Sequence, residues 1–538
     1  MNCGGPVGRV SLSFVLGLVC LAGAAQAQSD PLDWTRAWSP LQPLAELPRS
    51  LLGAGAGVPE VLVLPAPRVG IFWTAGNPAA LLDEVGERRT EFRFDVSDAS
   101  GAYRRPLDPG HESHGLGSAM VWGPLGERGA GIGRIVFDRG GFDRDFFSAT
   151  FAPHTTEPYV VLDTLGEAAV RTAVTVEGAA GWKLGRLGLG LGLGYHQQET
   201  RTTESAVPKL NRTATPGVTG GATYDLGFGG VRAGVFGRWR QTAELTSIFS
   251  VAAPSRVYKF RGYTDPIAIN LVSTLFGRRF ERRAWAVGAT LGAVRDAFSW
   301  TVFAQRERLT AENFESQTID PLVDSWDAGG WTVGAAVQAV VGTRRLLLTM
   351  NAIASTVGGE SVQADLDGVP FEADEYRVFA SAELRLPRSR GWQGALRLSV
   401  TRDRRKGSDG VTAVYSDLQA WRPLAAVEIA RWFGNSVAVS VGGAMSEHNP
   451  SGALPSFSRM GPVYQKWVGP ELALYGSEAR SRAGAATLRW RARPSTAFWV
   501  RARSESTSPP RSDRTLPGRP TGKRAMWNLT FGVVLGET

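Results

Sequence analysis

The sequence predicts an all-β protein: a transmembrane antiparallel β-barrel of about 18 strands, in a range of roughly 14 to 20, behind a short N-terminal segment. Three observations carry that reading. Apolar and polar residues alternate with period two from about residue 88 to the end of the chain. Short connections alternate with long ones almost throughout, as tight periplasmic turns alternate with outer loops in a membrane barrel. The alternating runs are long, and Trp182, Trp239, Trp331, Trp392 and Trp490 stand near their ends, where an interfacial girdle lies.

The chain opens on what reads as a signal peptide over residues 1–27. Arg9 supplies the positive charge, Val10 to Ala24 an apolar stretch too short for a comfortable bilayer span, and Ala25-Gln26-Ala27 small cleavage-site residues. Both cysteines, Cys3 and Cys20, fall inside it. The mature chain therefore has neither disulfides nor thiolate metal sites. No later run has the roughly 18 consecutive apolar residues of a transmembrane helix.

Residues 28–87 do not alternate and read as a periplasmic or plug segment. Within it, Asn77-Pro78-Ala79-Ala80-Leu81-Leu82 predicts a short helix. Asn77 suits the N-cap and Pro78 the first helical position. Gly86 is placed to terminate it.

From residue 88 to 538 the chain reads as barrel. Strands are expected at about 88–98, 112–122, 129–139, 168–183, 187–200, 211–225, 230–245, 280–293 and 296–309. They continue at about 329–341, 344–357, 374–387, 392–405, 416–431, 435–448, 480–492, 495–506 and 523–535. The long connections 140–167, 246–279, 310–328, 358–373, 449–479 and 507–522 are expected as outer loops. Pro423 falls inside a strand of a closed wall, so a bulge is expected there. The last strand carries Trp527, Leu529, Phe531, Val533 and Leu535 on one face but ends on Gly536-Glu537-Thr538 rather than on an aromatic residue.

The run Leu187 to Tyr195 alternates leucine with Gly188, Gly190, Gly192 and Gly194. It is not a phosphate-cradling loop, because "YHQQETR" and not a helix follows it. The leucines are expected to face lipid and the glycines to face inward. Glycine costs strand stability, so a plug segment, a loop or a large side chain is expected to pack on them closely.

Asn77-Pro78-Ala79 ahead of a barrel resembles the motif of the long-chain fatty-acid transporter family. That resemblance implies a fourteen-strand barrel, an N-terminal hatch and lateral passage of hydrophobic solutes. The longer pattern of Trp73 and Gly76 to Ala79 before the first strand resembles a family of uncharacterised outer-membrane barrels, a domain of unknown function. That resemblance covers most of the mature chain.

The net charge of +9 comes from arginines scattered along the chain, with only six lysines. Nucleic-acid binding would cluster such charge on one face and is not expected. The five histidines, His111, His114, His154, His196 and His448, have no metalloprotease or triad spacing. Asp138, Asp143 and Asp145 in "FDRGGFDRDFF" are interrupted by Arg139 and Arg144, which reads as a charge-paired surface loop and not a cation site. No enzyme activity and no cofactor are predicted.

The informative residues are the charged ones on polar strand faces: Arg171, Glu177, Arg232, Arg238, Arg240, Arg377, Glu383, Arg385, Arg397, Arg489 and Arg491, with Arg501 and Arg503. They are expected to point into the lumen or sit at its rims, pairing with one another or making an anion-favouring pore. The expected function is a channel or transporter for small anionic or amphipathic and hydrophobic solutes. The alternative is a non-conducting scaffold or secretion and surface-display partner. The expected surroundings are outer-membrane lipid, the barrel-assembly machinery and solutes or envelope proteins.

Overall fold

In the computed structural model, residues 76–536 are described apart from 84–87, 105–106, 149–158, 204–207, 250–254, 262–266, 272–274, 294, 296, 317–321, 343–344, 364–370, 412, 454–461 and 510–521. The expected signal peptide, residues 28–75 with Trp73, Gly86 and the terminal Glu537-Thr538 lie outside the described residues.

Alternation becomes strand at every place expected. The first strands are β1 (Arg89–Gly101), β2 (His111–Leu125), β3 (Gly129–Ser148), β4 (Tyr159–Leu184), β5 (Leu187–Thr202), β6 (Lys209–Asp225) and β7 (Val231–Phe249). A small hairpin follows, β8 (Ser255–Arg261) and β9 (Ile267–Leu271). The wall resumes with β10 (Leu275–Ala293), β11 (Phe298–Ser316), β12 (Leu322–Val341), β13 (Leu346–Gln363), β14 (Phe371–Ser389) and β15 (Trp392–Asp409). It ends with β16 (Val414–Phe433), β17 (Val437–Ala453), β18 (Ala479–Arg493), β19 (Thr496–Ser508) and β20 (Arg524–Leu535).

Each wall strand pairs antiparallel with its neighbour, β7 pairs with β10, and β20 returns to β1, Thr90 standing opposite Leu535. Eighteen strands thus close into one barrel and leave no wall edge. Tight turns hold one end. Between β14 and β15 the turn is Arg390-Gly391 with φ of 51° and 82°, the left-handed pair of a two-residue hairpin.

The exterior is apolar. Leu187, Leu189, Leu191, Leu193 and Tyr195 are 37–58 % exposed, while Gly188 and Gly192 between them are buried. Trp182, Trp392 and Trp490 lie close to the short turns; Trp239, Trp285, Trp331, Trp421 and Trp527 lie about 8–12 residues along their strands, all exposed. Two tryptophan belts at that separation match the roughly 9–11 residues of strand that cross a bilayer. No described helix is long and apolar enough to cross a membrane; the chain crosses with strands.

Four features depart from expectation. The strands run further into the long-loop side, so "FDRGGFDRDFF" belongs to β3 rather than to a loop. The 246–279 connection contains β8 and β9, and the 449–479 connection contains a helix, α1 (Pro462–Tyr475). Pro423 makes no bulge: Trp421 faces Asn449 and Leu424 faces Ser446 in unbroken register, and the β16–β17 ladder skips only Arg422 and Pro423. Pro216 behaves alike, with the β6–β7 ladder skipping Thr215 and Pro216. A proline lacks only the one N–H, and a locally opened ladder absorbs that loss without an extra residue.

At the long-loop end the interior is filled. The first residues of β4, Tyr159–Asp163, pair with β8. Tyr159 packs edge-on against Phe280 of β10 and donates to the Ser325 carbonyl of β12 at 2.6 Å. Trp467 of α1 is buried with Leu107, Leu162, Tyr258 and Phe260, and Leu474 with Tyr103 and Ala479. The helix therefore lies across the mouth, from the β4–β8 side to the β1–β18 side. Burying such side chains is worth about 1.5–3 kcal/mol each.

Candidate functional site

Three groups of residues occupy the lumen. The first is the N-terminal entry. Pro78–Asp83 forms a 3-10 helix. The Asn77 side chain caps it, accepting from Ala79 N at 3.1 Å, and its carbonyl accepts from Ala80 N at 3.1 Å. The Asn77 amide then donates to Ala222 O at 3.2 Å and Val235 O at 3.3 Å, on β6 and β7. Thus Asn77 both starts the helix and pins it to the wall. The seat is made of glycine. A Cβ on Gly190 would run into Pro78 C and Ala79 N, and one on Gly221 into the Asn77 side chain. One on Gly181 would press on Leu82 and the Pro78 carbonyl. Leu81 is fully buried against Ala130, Ile132 and Ala179.

The second group is the charged inner face. Arg171 donates to Asp138 at 2.9 Å and lies 3.1 Å from His114 Nδ1. Glu177 is buried, 3.9 Å from Arg134. Arg232, Arg238 and Arg240 share the inward face of β7 with Phe236 and with Glu244, which holds Arg282 at 3.1 Å and Asn211 at 2.9 Å. Glu383 grips both Arg385 and Arg397. Arg489 and Arg491 face inward on β18 beside Arg501, whose guanidinium meets Glu428 at 3.4 Å and Thr487 at 3.0 Å. Arg503 pairs with Glu505 at 2.9 Å. Asp138 is occupied by Arg171; the side chain of Asp145 lies outside the described residues. No group of three or more metal-ligating side chains occurs among the described residues.

The third group sits on β14–β17 beneath α1. Two cross-strand pairs stand directly opposite each other, Glu375 with Arg405 and Arg377 with Asp403. Their ion pairs measure 2.8 Å and 3.1 Å. Arg377 also reaches Glu375 at 4.0 Å, and Arg422 closes on Asp403. His448, on the inward face of β17 where the ladder skips Arg422 and Pro423, bonds the Tyr475 carbonyl at 2.7 Å. The two rings pack edge to face at 5.8 Å. At the helix end Gly476 N still closes on Leu472 O at 2.9 Å, and Ser477 N takes Leu474 O at 3.2 Å in a tighter last turn. Burial holds the Tyr475 phenol above its ordinary range, so it stays a hydroxyl at neutral pH.

Of these residues the alternation pattern identified Arg377 alone as a candidate. Arg405 and Arg422 lie on expected strands but on runs where arginine occurs on both faces, as Arg402 and Arg404 show. Tyr475 lies in a connection without alternation, so no periodic signal marks it.

No curated protein matches the chain by sequence. Solved structures resemble the chain over most of its length, each at low identity and low TM-score. The siderophore receptor PirA from Acinetobacter baumannii is 8% identical with a TM-score of 0.38, covering 87% of this chain and 84% of that one. The ferric-catecholate import receptor Fiu from E. coli K12 is 7% identical at a TM-score of 0.37, covering 82% and 81%. CdiB from Acinetobacter baumannii is 9% identical at 0.37, covering 83% and 60%. Closed antiparallel barrels with short turns at one end and an apolar belt belong to the Gram-negative outer membrane, and this chain is one of them. A family model, described as a family of unknown function (DUF6850), matches residues 78–535.

Proposed function

The chain belongs to this family of unknown function, and we propose that it is an outer-membrane channel or transporter for small anionic solutes, amphipathic ones included, whose lumen is gated by its own segments. The observation that carries the proposal is the inner face itself. Towards the short turns, inward arginines outnumber inward acids: Arg89, Arg93, Arg134, Arg232, Arg238, Arg385, Arg397, Arg489, Arg491 and Arg501 against Glu91, Asp95, Glu177, Glu307, Glu383 and Glu428. Cationic linings select anions. The gating rests on the 3-10 helix seated on glycines at one end and on α1 across the other. The resemblance of Asn77-Pro78-Ala79 to the fatty-acid transporter motif adds amphipathic solutes to the candidates.

The purified protein in planar bilayers is expected to conduct, with a reversal potential in a salt gradient that reports anions as the main carriers. Loss of all conductance together with unchanged solute uptake in cells lacking the protein would sink the proposal. A second reading, a non-conducting scaffold, is favoured by the occupation of the lumen at both ends. It predicts a stable envelope partner after mild solubilisation and no conductance even when α1 is removed.

A further inference from the structure

The ion pairs under α1 form a chain: Arg405, Glu375, Arg377, Asp403, Arg422. Arginines and acids alternate along it, with arginines at both ends. The two ends converge on one object. The Arg405 guanidinium lies 5.8 Å from the centre of the Tyr475 ring, and Arg422 acts electrostatically on both Tyr475 and His448. Buried polar atoms at this place without a hydrogen-bond partner include the Tyr475 hydroxyl, His448 Nδ1 and Glu375 Oε2. A buried polar group left unpaired is destabilising, and such a group asks for a ligand, ion or water that completes it.

Their chemistry specifies the ligand. Tyr475 carries a hydroxyl that donates. His448 must donate from Nε2 to the Tyr475 carbonyl, because a carbonyl oxygen only accepts. Nδ1 of the neutral ring is then an acceptor. The site therefore presents donors from tyrosine and arginine together with acceptors at His448 Nδ1 and Glu375 Oε2.

We propose that the wall of β14–β17 and the end of α1 together bind a small oxyanion that carries its own hydroxyl, a hydrogen phosphate or a hydroxycarboxylate. The acidic oxygens take the Tyr475 hydroxyl and the flanking guanidinia, and the ligand hydroxyl donates to His448 Nδ1. Because Tyr475 belongs to the mouth-closing helix and His448 to the wall, the ligand ties helix to wall. The site deepens the transport reading by naming a solute class, and rests on that reading only for its purpose.

The test is binding, separate from conduction. Inorganic phosphate is titrated into the full-length protein in detergent by calorimetry, with nitrate, an oxyanion without a hydroxyl, as the comparison. Saturable phosphate binding is expected, at least tenfold tighter than nitrate. Tyr475→Phe, which removes one hydroxyl and keeps the ring, is expected to weaken phosphate about tenfold. Tyr195→Phe, on the lipid face, is expected to leave it unchanged. Both variants are checked for the mobility shift between cold and boiled detergent that reports an intact barrel. Absence of saturable phosphate binding by the wild type overturns the proposal, as does equal affinity for nitrate or an unaltered Tyr475→Phe. Binding that survives in a protein that never conducts supports the site and sinks the channel.

Discussion

Asn77 does two jobs with one side chain. Its oxygen caps the 3-10 helix and its amide bonds two carbonyls of adjacent wall strands. Asn77→Ala is therefore expected to cost about 1–3 kcal/mol of local stability, cap and wall bonds together. Limited proteolysis of the membrane-inserted protein should then show faster cleavage in residues 28–88, with the cold-detergent barrel shift unchanged. The glycines opposite respond to size instead. Gly190→Trp puts a ring where Pro78 and Ala79 sit, so the helix leaves its seat or assembly fails. An unchanged proteolysis pattern with normal assembly would show that the close contact is unimportant. At the other end, Asp403 answers to both Arg377 and Arg422. Asp403→Asn leaves two buried guanidinia without their shared carboxylate, a loss of about 3–5 kcal/mol when a buried pair is broken. The unfolding midpoint in denaturant should fall accordingly.

At the scale of elements, the wall strands and the segments inside them are stabilised differently. A strand such as β5 is fixed by two neighbours and by lipid on its leucine face. The helix α1 is fixed by what it covers: Trp467 in an apolar cluster near β4 and β8, and Tyr475 against His448. Removing residues 462–475 deletes no wall hydrogen bond. The barrel is therefore expected to assemble, keep its mobility shift and conduct more than the wild type. A variant that assembles but conducts no more would count against α1 as the closing element. The two wall prolines carry a lesson of the same scale. Pro216 and Pro423 each open the ladder on one side without changing register, and the opening at Pro423 stands beside His448, where the wall meets α1.

For the whole molecule, closure is the dominant fact. An 18-strand cylinder with an apolar exterior leaves no wall edge unpaired and needs a bilayer around it. Its interior is wide enough to need filling, and inward arginines, paired acids and inserted segments fill it. The period-two pattern was legible along the chain because each strand sees two invariant environments, lipid outside and lumen inside. Leu187 to Tyr195 shows this in its plainest form, and the short-turn spacing gave strand number. The close packing expected on Gly188–Gly194 is met at Gly190 by Pro78 and Ala79, an occupant that alternation alone does not name.

What the sequence by itself determined is therefore the wall: strand number, facing and the polarity of the inner face, since these depend on neighbours two residues apart. The tertiary structure decided what stands inside it. Asn77 meets Ala222 and Val235, and Tyr475 meets His448, across 145, 158 and 27 residues. No local periodicity encodes such pairings, because they are set by the curvature that brings distant strands around a common axis.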